Sequence, residues 1–218
     1  VNFTVRRGEV HTLMGENGAG KSTLIKVLTG VYQRDSGSAL FEGKEINPKT
    51  PQDAQDLGIS TVYQEVNLIP YLSVAENICL GRQRKKFGFL NWREIRRRAE
   101  NAMARLGVEV DVTETLANCS IAIQQLVAIA RALDVDARLL ILDEPTSSLD
   151  EGEVERLFGI MRKLKAEGMG IVFVTHFLDQ VYAVSDRITV LRNGTFVGEY
   201  EAAKLSRIEL ISKMMGKE

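Results

Sequence analysis

Cysteine is nearly absent: Cys79 and Cys119 are the only two in 218 residues. One pair makes no disulfide framework and suits a reducing compartment. An excess of charge of either sign is also missing. Lys and Arg total 28 against 29 Asp and Glu, a net charge of -1, which gives no global attraction to nucleic acid or to anionic lipid. No apolar run approaches the ~18 residues of a membrane span, and no signal-peptide pattern opens the sequence. These absences lead to the expectation of a cytoplasmic protein. Internal repeats and low-complexity stretches are lacking too. What remains is 44% apolar and 26% charged, the composition of a soluble globule holding one sizeable domain or a core with a subdomain.

The most informative residues are Gly15-Glu16-Asn17-Gly18-Ala19-Gly20-Lys21-Ser22, followed by Thr23. They fit the phosphate-binding loop G-x-x-x-x-G-K-[ST]. A triphosphate brings several negative charges against the backbone, and the glycines let N–H groups turn inward to meet them. Lys21 then reaches the β/γ oxygens, and the Ser22 hydroxyl offers a ligand to Mg²⁺. The surroundings agree. Val10 to Met14 reads as a short buried strand and Ser22 to Leu28 as a helix ended by Gly30. Phosphate would therefore sit on a helix N-terminus, where free N–H groups and the dipole favour an anion. An accidental Gly-rich turn would match in about one percent of chains of this size, given ordinary residue usage.

Strand and helix signals alternate along most of the chain, which argues for an α/β fold with a mainly parallel sheet and helices on both faces. Val1 to Val5 alternates like a strand, with Arg6 to Glu9 as its turn. Ser38 to Ile46 reads as a hairpin, the small antiparallel β part. Ile59 to Tyr63 is a strand running into Gln64. Leu139–Leu142, Ile171–Val174 and Ile188–Leu191 are the apolar runs expected of buried strands. Asp150 with Glu153 and Ser206 with Glu209 have the spacing of capping boxes. From 65 to about 134 the pattern turns helical, with starts at Ser73/Glu76 and Asn91/Glu94 and a stop at Gly107. This predicts a helical subdomain inserted into a core of about 1–64 and 135–218. Within it, Arg82 to Arg98 holds eight Lys/Arg against one Glu. That run reads as a solvated helix face or a protein-docking surface ahead of a nucleic-acid patch.

Two further features carry chemistry. Leu139 to Leu142 leads into Asp143-Glu144, two acids at the carboxyl end of a rigid buried strand and so beside the phosphate loop. Asp143 is the candidate for the Mg²⁺ shell, and Glu144 for orienting or deprotonating an attacking water. Such a pair is often only a solvated turn, and the loop is what gives it meaning. His176, one of just two histidines, follows the next strand and could bridge the γ-phosphate and the acids.

In order along the chain, these motifs resemble the ATP-binding subunit of ABC transporters. The phosphate loop comes first, then a Q-loop at Gln64 and a signature segment at Cys119–Gln125. Asp143-Glu144 follows, then a D-loop at Ser147-Ser148-Leu149-Asp150, and last the switch residue His176. The resemblance implies a phosphate-loop, RecA-like core, with ATP and Mg²⁺ as cofactors. It implies catalytic roles for Glu144, His176 and Gln64, and places Ser22, Gln64 and Asp143 around the metal. It also implies that two such domains meet head to tail. Each ATP is then clamped between one phosphate loop and the opposite signature segment, here Ser120, Ile121, Ala122 and Gln124. The helical subdomain would dock on membrane permease subunits, with a periplasmic sugar-binding protein as an indirect partner. Such a protein works peripherally on the cytoplasmic face of the inner membrane.

The departures narrow the family. The usual signature is L-S-G-G-Q, whereas Cys119-Ser120-Ile121-Ala122-Ile123-Gln124-Gln125 keeps only Ser120 in its place. Ile121 and Ala122 put side chains where glycine lets backbones approach. This loosened form resembles the monosaccharide importers, whose ATPase subunit carries two such domains in one polypeptide. The wording around Gln64, Asp143 and His176 is similar to galactofuranose-type members. The family's adenine-stacking aromatic has no equivalent here, so the chain is expected to be the first of two ATPase domains, cut within its first strands. Other classes remain open. An ABC ATPase working on ribosomes or DNA would show a coiled-coil insertion or a basic linker. A small-molecule kinase would lack the ordered set of Gln64, Ser120, Asp150 and His176, and a GTPase would need an N-K-x-D motif. A module that holds ATP without turnover would be expected to lose Glu144 or His176.

Overall fold

The computed structural model describes residues 1–63, 67–82, 85–86 and 89–216. Gln64 lies outside them. The central sheet has six strands in the order β10-β9-β1-β8-β7-β4. They are β1 (Val10–Met14), β4 (Ile59–Val62), β7 (Leu139–Asp143), β8 (Gly170–Val174), β9 (Arg187–Arg192) and β10 (Thr195–Glu201). All neighbours are parallel except β10, which pairs antiparallel to β9 at the edge. Side chains alternate between the two faces, as the pleat requires. Leu140, Leu142, Ile171 and Phe173 join one buried cluster, and Ile141, Val172 and Val174 join another. Both faces are covered, which is why these strands read as unbroken apolar runs.

Helix α1 (Lys21–Leu28) covers one face through Ile25, together with α2 (Pro51–Asp56) through Ala54. On the other face lies α6 (Glu151–Ala166), burying Leu157, Phe158, Ile160, Met161 and Leu164. The helices α3 (Val74–Ile78), α4 (Trp92–Arg105) and α5 (Ile121–Leu133) fall between β4 and β7. They pack on one another, and their buried residues are continuous with that same sheet face. The helical part therefore shares a core with the sheet. The boxes expected at Asp150/Glu153 and Ser206/Glu209 are formed, the last opening α8 (Arg207–Met215); of the expected helix starts, Ser73/Glu76 also forms a box and Asn91 caps α4.

The structure differs from the sequence reading at several places. Val1 to Val5 forms no strand. Its side chains do alternate, with Phe3 and Val5 packed on the second cluster, but its backbone turns to side chains: Thr4 O accepts from Arg187 and Arg6 N donates to Glu9. The hairpin is confined to β2 (Leu40–Phe41) and β3 (Lys44–Glu45). Inside the basic run, the two-residue strands β5 (Lys85–Lys86) and β6 (Phe89–Leu90) pair antiparallel where helices without strong strands were expected.

Candidate active site

Because β1, β8, β7 and β4 are parallel neighbours, their carboxyl ends open on one edge of the sheet. The register sets Leu13 and Asp143 level with Val174. Each strand delivers its next residues there: the loop from Gly15, the acid Glu144, and Thr175 followed by His176.

The loop's shape follows from its glycines. A Cβ on Gly15 would lie 2.4 Å from the Leu191 carbonyl and 2.7 Å from Ala19 Cβ, so no side chain fits. Gly20, at φ 100°, opens α1 in a left-handed conformation open to glycine and costly for other residues. Ala19 N donates to Glu16 O at 3.1 Å, and Gly194 N to Ala19 O at 3.0 Å, which anchors the loop to the β9–β10 turn. Glu16, Asn17 and Gly18 are exposed, as are Ser22 and Thr23. No side chain caps the first turn of α1, whereas Ser and Asp side chains cap α3, α5, α6 and α8. An uncapped helix start with an exposed hydroxyl beside it suits an anion.

Lys21 is buried, and its ammonium donates to Gly15 O at 2.7 Å and Glu16 O at 3.0 Å. Burial lowers its pKa, while the Glu144 and Asp143 carboxylates nearby work to raise it. Asp143 moves the other way. Burial pushes its carboxyl up and Glu144 adds to the shift, against Lys21 and Lys26. Two adjacent half-buried carboxylates facing one ammonium therefore carry negative charge that a divalent cation would relieve. Among the described residues no group of three or more His, Cys, Asp and Glu could hold a metal. The donor set fits Mg²⁺, which takes few protein ligands and keeps the rest for phosphate and water.

Glu144 sits at φ 49°, a left-handed backbone uncommon outside glycine, with its N–H held by Val174 O at 2.9 Å. Its Oε2 lies 3.3 Å from His176 Nδ1. The His176 ring is exposed and packs on Phe177, with centroids 4.0 Å apart. A carboxylate and an imidazole thus meet beside the phosphate loop, the arrangement needed to orient a water and transfer its proton.

The other expected residues stand apart from this cluster. Ser120 caps α5 by accepting from Ile123 N at 3.3 Å, and Ile121 is 53% exposed. Gln124 donates to Cys119 O at 3.0 Å. Among the described residues no hydrogen bond or ion pair links Ser120, Ile121, Ala122 or Gln124 to the phosphate loop. Asp150 spends its carboxylate on capping α6 through Glu153 N at 2.8 Å. Sequence reasoning missed Gln180, whose Oε1 accepts from the hydroxyls of Thr146 and Thr175. Neighbouring motif residues gave no hint of that long-range contact.

A family model described as "ABC transporter" matches residues 1–147. The chain belongs to the ABC transporter family. It is similar to the galactofuranose transporter ATP-binding protein YtfR of Escherichia coli strain K12, at 58% identity over all of this chain and 44% of that protein. It is also similar to the fructose import ATP-binding protein FruK of Bifidobacterium longum, at 52% identity over the whole chain and 42% of the relative. The chain thus spans less than half the length of these relatives. Among solved structures it resembles the ATP-binding cassette MJ0796 in a dimeric post-hydrolysis state bound to ADP and Pi. The TM-score is 0.78 at 28% identity, covering 93% of this chain and 89% of that one. The printed names of these relatives specify ATP binding, and that of MJ0796 specifies bound ADP and Pi. Among the described residues, no helix is long and apolar enough to cross a membrane.

Proposed function

We propose that this domain hydrolyses ATP at the carboxyl edge of its sheet to drive import of a sugar through a membrane complex. The observation that carries the hydrolytic reading is the 3.3 Å approach of Glu144 and His176 beside the Lys21 loop. In this reading the loop amides from Gly15 to Thr23 and the Lys21 ammonium bind the phosphates. Ser22, Asp143 and Gln64 would hold Mg²⁺, which would supply positive charge to the phosphate oxygens. Glu144 orients and deprotonates water, and His176 holds the γ-phosphate against it.

Ser120, Ile121, Ala122 and Gln124 serve a second ATPase domain, whose own signature clamps the ATP bound here, and Asp150 lies on the same interface. The dimeric form of MJ0796 supports that pairing. The printed names of the relatives, one a transporter and one an import protein, support permease subunits as partners; a periplasmic sugar-binding protein as an indirect partner and a peripheral place on the cytoplasmic face of the membrane belong to the same proposal. Residues 1–64 and 135–218 make the ATPase core, and 65–134 make the part that docks on the permease. The sugar itself is chosen by other chains, since the residues gathered at this site are those that meet phosphate and water.

The test is uptake by the native assembly in vesicles, with ATP inside and a panel of monosaccharides outside. One sugar should accumulate only with ATP, and Glu144→Gln should abolish both uptake and hydrolysis. ATP-independent uptake, or hydrolysis that survives the substitution, would refute the proposal.

A further inference from the structure

Gln180 lies on α7 (Leu178–Val184), a residue to which the sequence reading gives no role. Its Oε1 accepts from Thr146 Oγ1 at 2.7 Å and from Thr175 Oγ1 at 3.1 Å. Thr146 follows Glu144 by two residues and is 4% exposed, while Thr175 directly precedes His176 and is 2% exposed. One carbonyl oxygen therefore ties together the two strand-end segments that bear the carboxylate and the imidazole. Such an oxygen has two lone pairs and each hydroxyl one hydrogen, so the three groups satisfy one another. Thr175 Oγ1 also accepts from Phe177 N at 3.1 Å, which fixes the backbone on either side of His176.

A tie is needed here. Glu144 is held at φ 49°, a conformation that persists in a non-glycine residue only where its surroundings impose it. His176 is exposed, so packing alone does not fix its ring. We infer that Gln180 is a positioning residue for hydrolysis: through Thr146 and Thr175 it sets the separation of Glu144 and His176. The inference rests on the roles given to that pair above.

The test measures kcat and ATP affinity separately on the native protein in its assembly. Gln180→Leu keeps the bulk and removes the acceptor. It should lower kcat on the order of ten- to a hundredfold, the scale of a misplaced catalytic group, with ATP affinity unchanged. Gln180→Glu keeps the acceptor and should restore most of the turnover. In combination with His176→Ala, Gln180→Leu should cost less than the product of the two separate losses, since both act on one unit. If Gln180→Leu does not fold, Thr146→Val should lower kcat and Thr146→Ser should recover it. An unchanged kcat, a parallel loss of kcat and affinity, a Glu variant as slow as Leu, or strictly multiplicative losses would overturn the inference. Normal turnover in Glu144→Gln would instead overturn the role of Glu144. An inert Glu144→Gln beside a full-speed Gln180→Leu would sink the positioning role alone.

Discussion

At the amino-terminal edge of the sheet, Arg187 is enclosed by Glu9 and Glu199, with Thr4 O as a further acceptor. Glu9 in turn accepts from Arg6 N at 2.7 Å. Val10 N donates to Asp186 at 2.8 Å, and Asp186 pairs with Lys165 at 2.5 Å. Burial alone would raise the Glu9 pKa, but the close approach of His11 and the bonds from Arg187 and the Arg6 amide outweigh it and bring it to about 2. At the carboxyl-terminal edge the charges are left open. Among the described residues Lys21 donates to two loop carbonyls, Asp143 is pushed up by burial and by Glu144, and α1 starts without a side-chain cap. One end closes its charges on itself and contributes stability. The other end holds them for a ligand that brings the complementary charge.

The largest expected effect belongs to the open end. Glu144→Gln should cut turnover by about 10²–10⁴-fold, the usual share of a general base, with ATP binding near normal. Turnover within a factor of about two of wild type would remove the residue from the mechanism. The closed end should respond in stability instead. Glu9→Gln leaves Arg187 short of a buried partner, a change that costs about 3 kcal/mol when a buried pair is broken. Denaturant unfolding should show this loss while ATP affinity stays the same, and a neutral result would mean that the cluster contributes nothing. Lys21→Ala should weaken ATP binding about ten- to a hundredfold, as one charged hydrogen-bond partner is worth roughly 1.5–3 kcal/mol. Calorimetry showing unchanged affinity would count against the phosphate-loop assignment.

The smallest effect is in pH. Glu9 has a folded pKa near 2 against the ordinary 4.5, so its contribution is fully present above 4.5 and is lost as pH falls toward 2. Stability of the wild type should decline through that window, and Glu9→Gln should decline less steeply. Parallel slopes would contradict the lowered pKa.

The two edges were unequally legible in the sequence. The open end is written in short stretches, because a backbone that cradles phosphate must be continuous: Gly15 to Ser22 stands out alone, and Asp143-Glu144 and Thr175-His176 take their meaning from it. The closed end is not, since Glu9 and Arg187 are 178 residues apart and meet only once β1 and β9 pair. Gln180 was hidden for the same reason. The start of α2 was missed because Asp53, not Glu or Gln, completes the box with Thr50. Strand β10 was missed because its apolar alternation is broken at a register shift between Phe196 and Gly198. Val1 to Val5 has the alternation of a strand, and alternation records burial but not pairing.

The contrast between the edges is tested most directly by melting the native protein with and without Mg-ATP, as wild type, Lys21→Ala and Glu9→Gln. A ligand that binds only the folded state raises the melting temperature by an amount that grows with the logarithm of its affinity. Lys21→Ala should melt like wild type without nucleotide and lose most of the rise that ATP produces. Glu9→Gln should melt lower without nucleotide and keep the full rise. If Lys21→Ala lowers the nucleotide-free melt and keeps the rise, or if Glu9→Gln abolishes it, then the two edges do not divide stability and ligand binding between them.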